Sequence, residues 1–364
     1  MNSDLLYKIA LIQTPKVGPV TAKKLYQHFG SAKDIFDADF QELMLSGFIN
    51  KDIAAEILKK DNFKFAEEEI AFILKYEIKA LCFDDSDYPK RLKHFEDAPF
   101  LLYFKGNCNL NTPRVVGIVG TRKPTDYGRH QCELLVEGLK EYNPLIISGL
   151  AFGIDGCAHS KCVDLGMENV GIVAHGLDRI YPPSHTKLAQ RMVQIGGGIL
   201  SEFTSRTEPM PGNFPSRNRI IAGMCDALVV VETAISGGSI ISANMANEYQ
   251  KDVFAIPGRI GDQFSEGCNQ LIKSHRASLL TSVDDIAYIL RWERQKAAAQ
   301  KQIFIELTEE ERVVTDMLLG KDGIHINYLI QETGLSTSRL ASVLLELEMK
   351  GVLRAMPGKY FRMS

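Results

Sequence analysis

Between Arg114 and Ile289 the chain repeats one pattern: a short apolar run rich in β-branched residues, a turn of small residues, then a helical stretch. The runs are Val115–Val119, Pro144–Ser148, Val170–Ala174, Ile199–Ser201, Ala227–Val231 and Asp252–Ile256. A strand with one wet face alternates apolar and polar residues, and these do not, so both of their faces must be covered. With helical stretches between most of them, the pattern predicts an α/β fold, a doubly wound and mainly parallel sheet.

A chain of 364 residues exceeds one ordinary core, and the flanks of this region read differently. Residues 1–78 are predicted to be a small helical N-terminal domain. Leu5, Leu6, Ile9 and Ile12 recur at helical spacing, and breaks at Val17-Gly18-Pro19-Val20 and Leu45–Ile49 each precede a new helix start, the second at Asn50 or Lys51. Helix, glycine turn, helix, repeated, fits a helix-hairpin-helix (SAM-like) pair that binds phosphate, or a helical bundle that recognises nothing. Residues 79–290 are assigned to the Rossmann-like domain. Its opening stretch, 79–112, reads as a connector of extended chain and turns around Tyr88-Pro89 and Ala98-Pro99. Residues 291–305, polar and Ala-rich with the single tryptophan Trp292, form a linker.

Residues 306–364 are predicted to be a winged-helix-like domain. Thr308 and Glu311 form a capping box, helices follow at about 309–319, 325–333 and 337–350, and Val352–Arg354 and Tyr360–Arg362 make a hairpin. The third helix sets Arg339 and Lys350 against Glu346 and Glu348. That neutral surface is poor for reading a major groove, and a role in partner binding or structure is as well supported.

The net charge of −3 argues against a global attraction to nucleic acid, so any such site must be a local basic patch. No run of about 18 uncharged apolar residues is present to span a bilayer. Residues 1–10 carry Asp4 and Lys8 and lack the features of a signal peptide, so the expected location is the cytoplasm. Seven scattered cysteines without a C-x-x-C pair are no disulfide framework. Cys157, His159 and Cys162 are close enough in sequence to suggest zinc, but small apolar cysteines on a helix are the expected reading.

In a doubly wound sheet, ligands bind beyond the C-terminal ends of the strands, so the residues after each run are the candidates. Gly120-Thr121-Arg122 follows the first run: glycine lets a phosphate approach the backbone, and Arg122 offers a planar double donor. Without a G-x-G-x-x-G fingerprint the turn gives no support for a dinucleotide, and no cofactor is expected. Ser148 and Gly149 open the second strand end, where Asp155 is expected to cap a helix rather than act as an acid. Phe214, Arg217, Asn218 and Arg219 surround a later helix start and unite phosphate donors with an aromatic face, as a single strand requires. The competing reading pairs Arg217 and Arg219 with internal carboxylates such as Glu202 or Glu232. Ser236-Gly237-Gly238-Ser239 forms another anion-binding turn. Several phosphate-sized cups along one sheet edge suit a polymer better than one small anion.

Taken together, V-G-I-V-G-T-R ending at Arg122, I-S-G-L-A-F-G-I-D-G-C-A-H (Ile147–His159), H-G-L-D-R-I-Y-P (His175–Pro182) and S-E-F (Ser201–Phe203) form the start of an ordered series. It continues with P-G-N-F-P-S-R-N-R-I-I-A-G (Pro211–Gly223), V-V-E-T-A-I-S-G-G-S-I-I-S-A (Val230–Ala243), D-V-F-A-I-P-G (Asp252–Gly258) and G-C-N-Q-L-I-K (Gly267–Lys273). The series resembles the DNA-processing protein A family, also called Smf, over roughly residues 80–285. The resemblance implies an extended Rossmann fold, binding of single-stranded DNA, a homodimer, and delivery of RecA recombinase onto incoming DNA in natural transformation. Carried over by motif, Gly120, Thr121 and Arg122 bind phosphate, Ser148 and Gly149 line the same pocket, Phe214, Arg217, Asn218 and Arg219 hold strand and base, and Ser236–Ser239 form the opposite lip. The chain departs from the family pattern at Phe152, where a basic residue is common, and at His275-Arg276-Ala277, where Gly-Ala commonly follows L-I-K.

These features favour a binder that catalyses nothing. An enzyme related to nucleotide phosphoribohydrolases would carry P-G-G-x-G-T followed by a glutamate, whereas here Ser236–Ser239 stands and Glu248 lies further along. A nucleotide-sensing adaptor is the third reading, distinguished by tight binding of mononucleotides without gain from length.

Overall fold

The computed structural model describes residues 3–293, 307–319, 321, 323–350, 352–356 and 358–363. Two compact units, 1–295 and 296–364, make up the chain.

The first unit opens with helices α1 (Ser3–Ile12), α2 (Pro19–Phe29), α3 (Ala32–Asp37), α4 (Phe40–Leu45), α5 (Lys51–Lys59) and α6 (Phe63–Lys75). Their starts follow local chemistry. Pro19 sits at the first position of α2, where its missing N–H costs nothing. Asn50 accepts from the N–H groups of Asp52 and Ile53 to begin α5. Then come β1 (Lys79–Cys82), α7 (Lys90–Lys93) and β2 (Leu101–Gly106). The alternation follows as β3 (Val115–Val119), α8 (Asp126–Leu139), β4 (Leu145–Ser148), α9 (Ile154–Leu165), β5 (Asn169–Ile172), α10 (Thr186–Gln194), β6 (Gly198–Ser201), α11 (Asn213–Met224) and β7 (Ala227–Val230). It ends with α12 (Gly238–Glu248), β8 (Asp252–Ala255), α13 (Glu266–Lys273), β9 (Ser278–Leu279) and α14 (Val283–Ile289).

Among the described residues one nine-stranded sheet has the order β1-β2-β6-β5-β4-β3-β7-β8-β9. The strands from β6 to β9 in that order pair in parallel, while β2 runs antiparallel to β6 and to β1. All six runs read from sequence are strands of this sheet. The stretch 79–112 is not only a connector: Lys79–Cys82 and Leu101–Gly106 extend the sheet. Both faces of β2 are dry, because Leu102 and Phe104 face the main core while Leu101 and Tyr103 join the core of α1–α6. The helical region and the sheet therefore share apolar contacts. Trp292 also belongs to this unit: its ring lies 5.5 Å from the Arg114 guanidinium and 6.2 Å from the Tyr142 ring. Most of the stretch read as a linker, 294–305, lies outside the described residues.

In the second unit α15 (Glu309–Leu318), β10 (Ile324–His325), α16 (Ile326–Thr333), α17 (Thr337–Met349), β11 (Leu353–Met356) and β12 (Tyr360–Met363) form a winged helix. The Thr308–Glu311 capping box is formed, and Gly334 ends α16 in the left-handed conformation. Both basic side chains of α17 and its C-cap have carboxylate partners, Arg339 with Glu310 and Lys350 with Glu311. Among the described residues no helix is long and apolar enough to cross a membrane.

Candidate functional site

The order of the parallel strands reverses at the β3/β7 boundary, and a crevice opens where neighbouring connections leave in opposite directions. A cleft of about 710 Å³ occupies this place, at the C-terminal ends of the strands.

Its floor is two backbone turns. After β3, the Thr121 N–H donates to the Glu232 carbonyl (2.7 Å), and the buried Glu232 carboxylate accepts from the N–H and hydroxyl of Thr125 (2.8 and 2.7 Å). The turn after β4 presses against it: Ile154 N–H donates to the Thr121 carbonyl, and a Cβ at Gly153 (φ +81°) would collide with that same oxygen. After β7, Gly237 and Gly238 begin α12 without a side-chain cap, which leaves N–H groups and the positive end of the helix dipole facing the cleft. Ser239 lines the cleft too, and its hydroxyl is buried without a hydrogen-bond partner among the described residues. α11 likewise starts uncapped, at Asn213, and Pro215 is accommodated in its first turn.

The cleft's two arginines do different work. Arg122 is exposed, has no hydrogen bond or ion pair among the described residues, and lies 5.2 Å from the centroid of the Phe214 ring. Tyr181 flanks Phe214 at 6.2 Å, and exposed Phe152 lines an adjoining slot with Arg122, Gly149 and Phe214. Arg217 is only 4% exposed. Its guanidinium donates to the carbonyls of Gly149 and Ile172 and to the Asn218 side chain. Burial brings its pKa down to about 10, opposed by Asp155, so it stays charged at neutral pH. Asp155 is pushed up by burial and held back by Arg217 and by hydrogen bonds from the Ala151 and Gly149 N–H groups. Its carboxylate thus ties down the turn after β4 instead of capping α9, whose N-cap is Gly153.

Of the residues selected from sequence, Gly120, Thr121, Arg122, Phe214, Arg217, Asn218, Gly237, Gly238 and Ser239 come together around the cleft, and Gly149 lines the adjoining slot. Three do not. The Ser148 hydroxyl is buried against the Ile118 carbonyl. Ser236 is exposed on the approach to α12 and does not line the cleft. Arg219 pairs internally with Glu202, the alternative foreseen for it, because it lies two residues from Arg217 on α11 and points away from that residue's face. Glu232, Tyr181 and Ser242 went unselected. Glu232 and Tyr181 lie inside the recognised motifs, but only the fold shows that one braces a turn and the other rims the cleft. The Cys157, His159 and Cys162 cluster is no metal site among the described residues: Cys162 is in the core and His159 Nδ1 bonds Asn169 Oδ1 at 2.8 Å.

Residues 79–291 match the family described as DNA recombination-mediator protein A, and residues 295–359 match the DprA winged helix domain. The chain belongs to the DNA recombination-mediator protein A family. Among relatives, it is 31% identical to "Protein Smf" of Synechocystis over 99% of each chain. It is 40% identical to "DNA processing protein DprA" of Streptococcus pneumoniae, over 56% of this chain and 71% of that one. The X-ray structure of DNA processing protein A from Streptococcus pneumoniae superposes with a TM-score of 0.68 at 31% identity, covering 79% of this chain and 98% of that one. A Helicobacter pylori DNA processing protein A, described for its single-stranded DNA binding mode, gives 0.54 at 29% identity, covering 60% and 98%. The cleft residues thus belong to the segment matched to this family.

Proposed function

We propose that the switch-point cleft binds single-stranded DNA, with Arg122 and the α12 N-terminus taking backbone phosphates and Phe214 stacking a base. One observation carries this reading: an exposed, unpaired guanidinium lies against an aromatic ring at the mouth of a cleft floored by glycine turns. A cation beside a π-face, with helix N–H groups opposite, neutralises a strand and holds a base without reading sequence. The Helicobacter pylori relative, described by its single-stranded DNA binding, supports it. Arg217, Asn218 and Asp155 set the shape of the cleft from beneath.

Glu248 sits exposed at the far end of α12 from the cleft, and Asp155 is engaged by backbone N–H groups. A binding role therefore fits better than glycosidic-bond hydrolysis. Family resemblance alone supports the larger role, in which a homodimer shields incoming strands in the cytoplasm and loads RecA recombinase.

Anisotropy titrations with single- and double-stranded oligonucleotides test the cleft. Single strands should bind with little sequence preference and strong salt dependence. Equal affinity of wild type and Arg122→Ala would remove the assignment. Light scattering tests the dimer, and RecA-dependent strand exchange on coated DNA tests the loading.

A further inference from the structure

A second cationic groove lies on the opposite edge of the sheet, where β3, β7 and β8 begin after Arg114, Asp226 and Lys251. It encloses about 600 Å³, and among the described residues no carboxylate lines it. Lys90, Arg91 and Lys251 supply its charge, and His94 lies among them. Arg91 is consumed internally, by both oxygens of Asp226 and the carbonyls of Thr112 and Pro113. Lys90, His94 and Lys251 have no ion pair among the described residues. Lys251 is half-buried, and burial holds its ammonium below the usual lysine range, so an arriving anion would relieve a partly dry charge.

The segment that departs from the family pattern extends this edge. Asn247, near the end of α12, donates to the Arg276 carbonyl at 2.8 Å, and the parallel pairing of β9 with β8 (Phe254 opposite Ser278) brings the exposed Arg276 level with Asp252, next to Lys251, along this edge and outside the groove's own lining. The Phe95 ring of the groove is already engaged on both counts that could serve a base. One side of the Phe95 ring stacks on Tyr249 at 4.0 Å, and Lys251 lies 5.5 Å from its centroid. Repeating phosphates need cations and no side-chain pockets, so a nucleic-acid backbone fits this surface better than an acidic peptide.

We propose that Lys90, Lys251 and Arg276 form a second contact for the backbone of a strand already held in the cleft. This contact rests on the reading of the cleft given above. The intervening strands of four or five residues rise about 3.3 Å per residue, so the two edges stand roughly 15 Å apart before their loops are added. A short oligonucleotide fills the cleft alone, and only a long one reaches both.

Anisotropy on the full chain, with labelled oligothymidylates of about 3 and about 30 nucleotides, separates the two contacts, because a trinucleotide is too short to bridge the two edges. In Lys90→Gln/Lys251→Gln/Arg276→Gln the long strand should bind about tenfold more weakly, with a salt slope reduced by about 2, while the short strand is unaffected. Because Lys251 is half-buried, Lys90→Gln/Arg276→Gln, both exposed, repeats the test with a slope reduced by about 1.4. Unchanged binding of the long strand by the folded double variant, or equal losses at both lengths, would overturn the second contact. So would displacement of the long strand by polyglutamate that the double variant abolishes, since the groove would then take acidic peptides. Failure of the cleft itself is read separately: Arg122→Ala would leave the short strand's affinity unchanged.

Discussion

The guanidinium of Arg122 lies over the ring of Phe214, 5.2 Å from its centroid, although the two residues come from different sheet connections. The ring restrains the cation without neutralising it, so its hydrogen-bond donors remain available to a phosphate. Arg122→Ala should weaken single-strand binding about tenfold or more and lower the salt slope by about 0.7, the value of one phosphate contact. Arg122→Lys should restore the slope and only part of the affinity, because an ammonium keeps the charge and loses the planar fork. Anisotropy against salt concentration distinguishes these outcomes.

Phe214→Ala removes a stacking surface and no charge. Its effect on affinity should be about 1–3 kcal/mol with the salt slope unchanged. Phe214→Tyr should bind nearly as wild type. A slope that changes with the ring would place Phe214 in charge organisation, not stacking.

Arg217→Ala should act on stability. It strips the carbonyls of Gly149 and Ile172 of a donor and leaves the Asp155 carboxylate buried beside a lost cation. Breaking such a buried arrangement costs about 3–5 kcal/mol, so thermal unfolding should shift strongly. Arg219→Ala isolates Glu202 in the same way, but on the side of α11 away from the cleft. Folded Arg219→Ala protein should bind single strands with wild-type affinity, and a binding defect in that fraction would contradict the placement.

His159 is buried, hydrogen-bonded through Nδ1 to Asn169, and burial depresses its pKa to about 4. Its unfolded value is near 6.5, so below that pH the unfolded chain takes up a proton that the folded chain refuses. The stabilisation is whole above pH 6.5 and is lost as the pH falls toward 4. The stability advantage of wild type over His159→Gln should shrink by up to about 3 kcal/mol across that window. Taking the difference cancels the opposing effect of the buried carboxylates Glu69, Asp155 and Glu202, whose pKa values are raised. Denaturant titrations at several pH values measure it.

The apolar runs, turn glycines and capping residues are local signals, and through them the sequence by itself determined the parallel sheet, the winged helix and the strand ends that border the cleft. Gly120, Gly237 and Gly238 were legible for the same reason: a turn needing close approach selects glycine whatever lies across from it. The extra strands Lys79–Cys82 and Leu101–Gly106 were not, because strands added beyond the parallel core take their identity from their neighbours, here β6 and the helices behind β2. Nor were the separate fates of three arginines. Arg122, Arg217 and Arg219 look alike in sequence as cations near helix starts. Only the tertiary structure decided that one faces solvent, one is sealed beneath the cleft and one is paired with Glu202, since that depends on which face of α11 packs inward and where carbonyls and carboxylates arrive from distant parts of the chain.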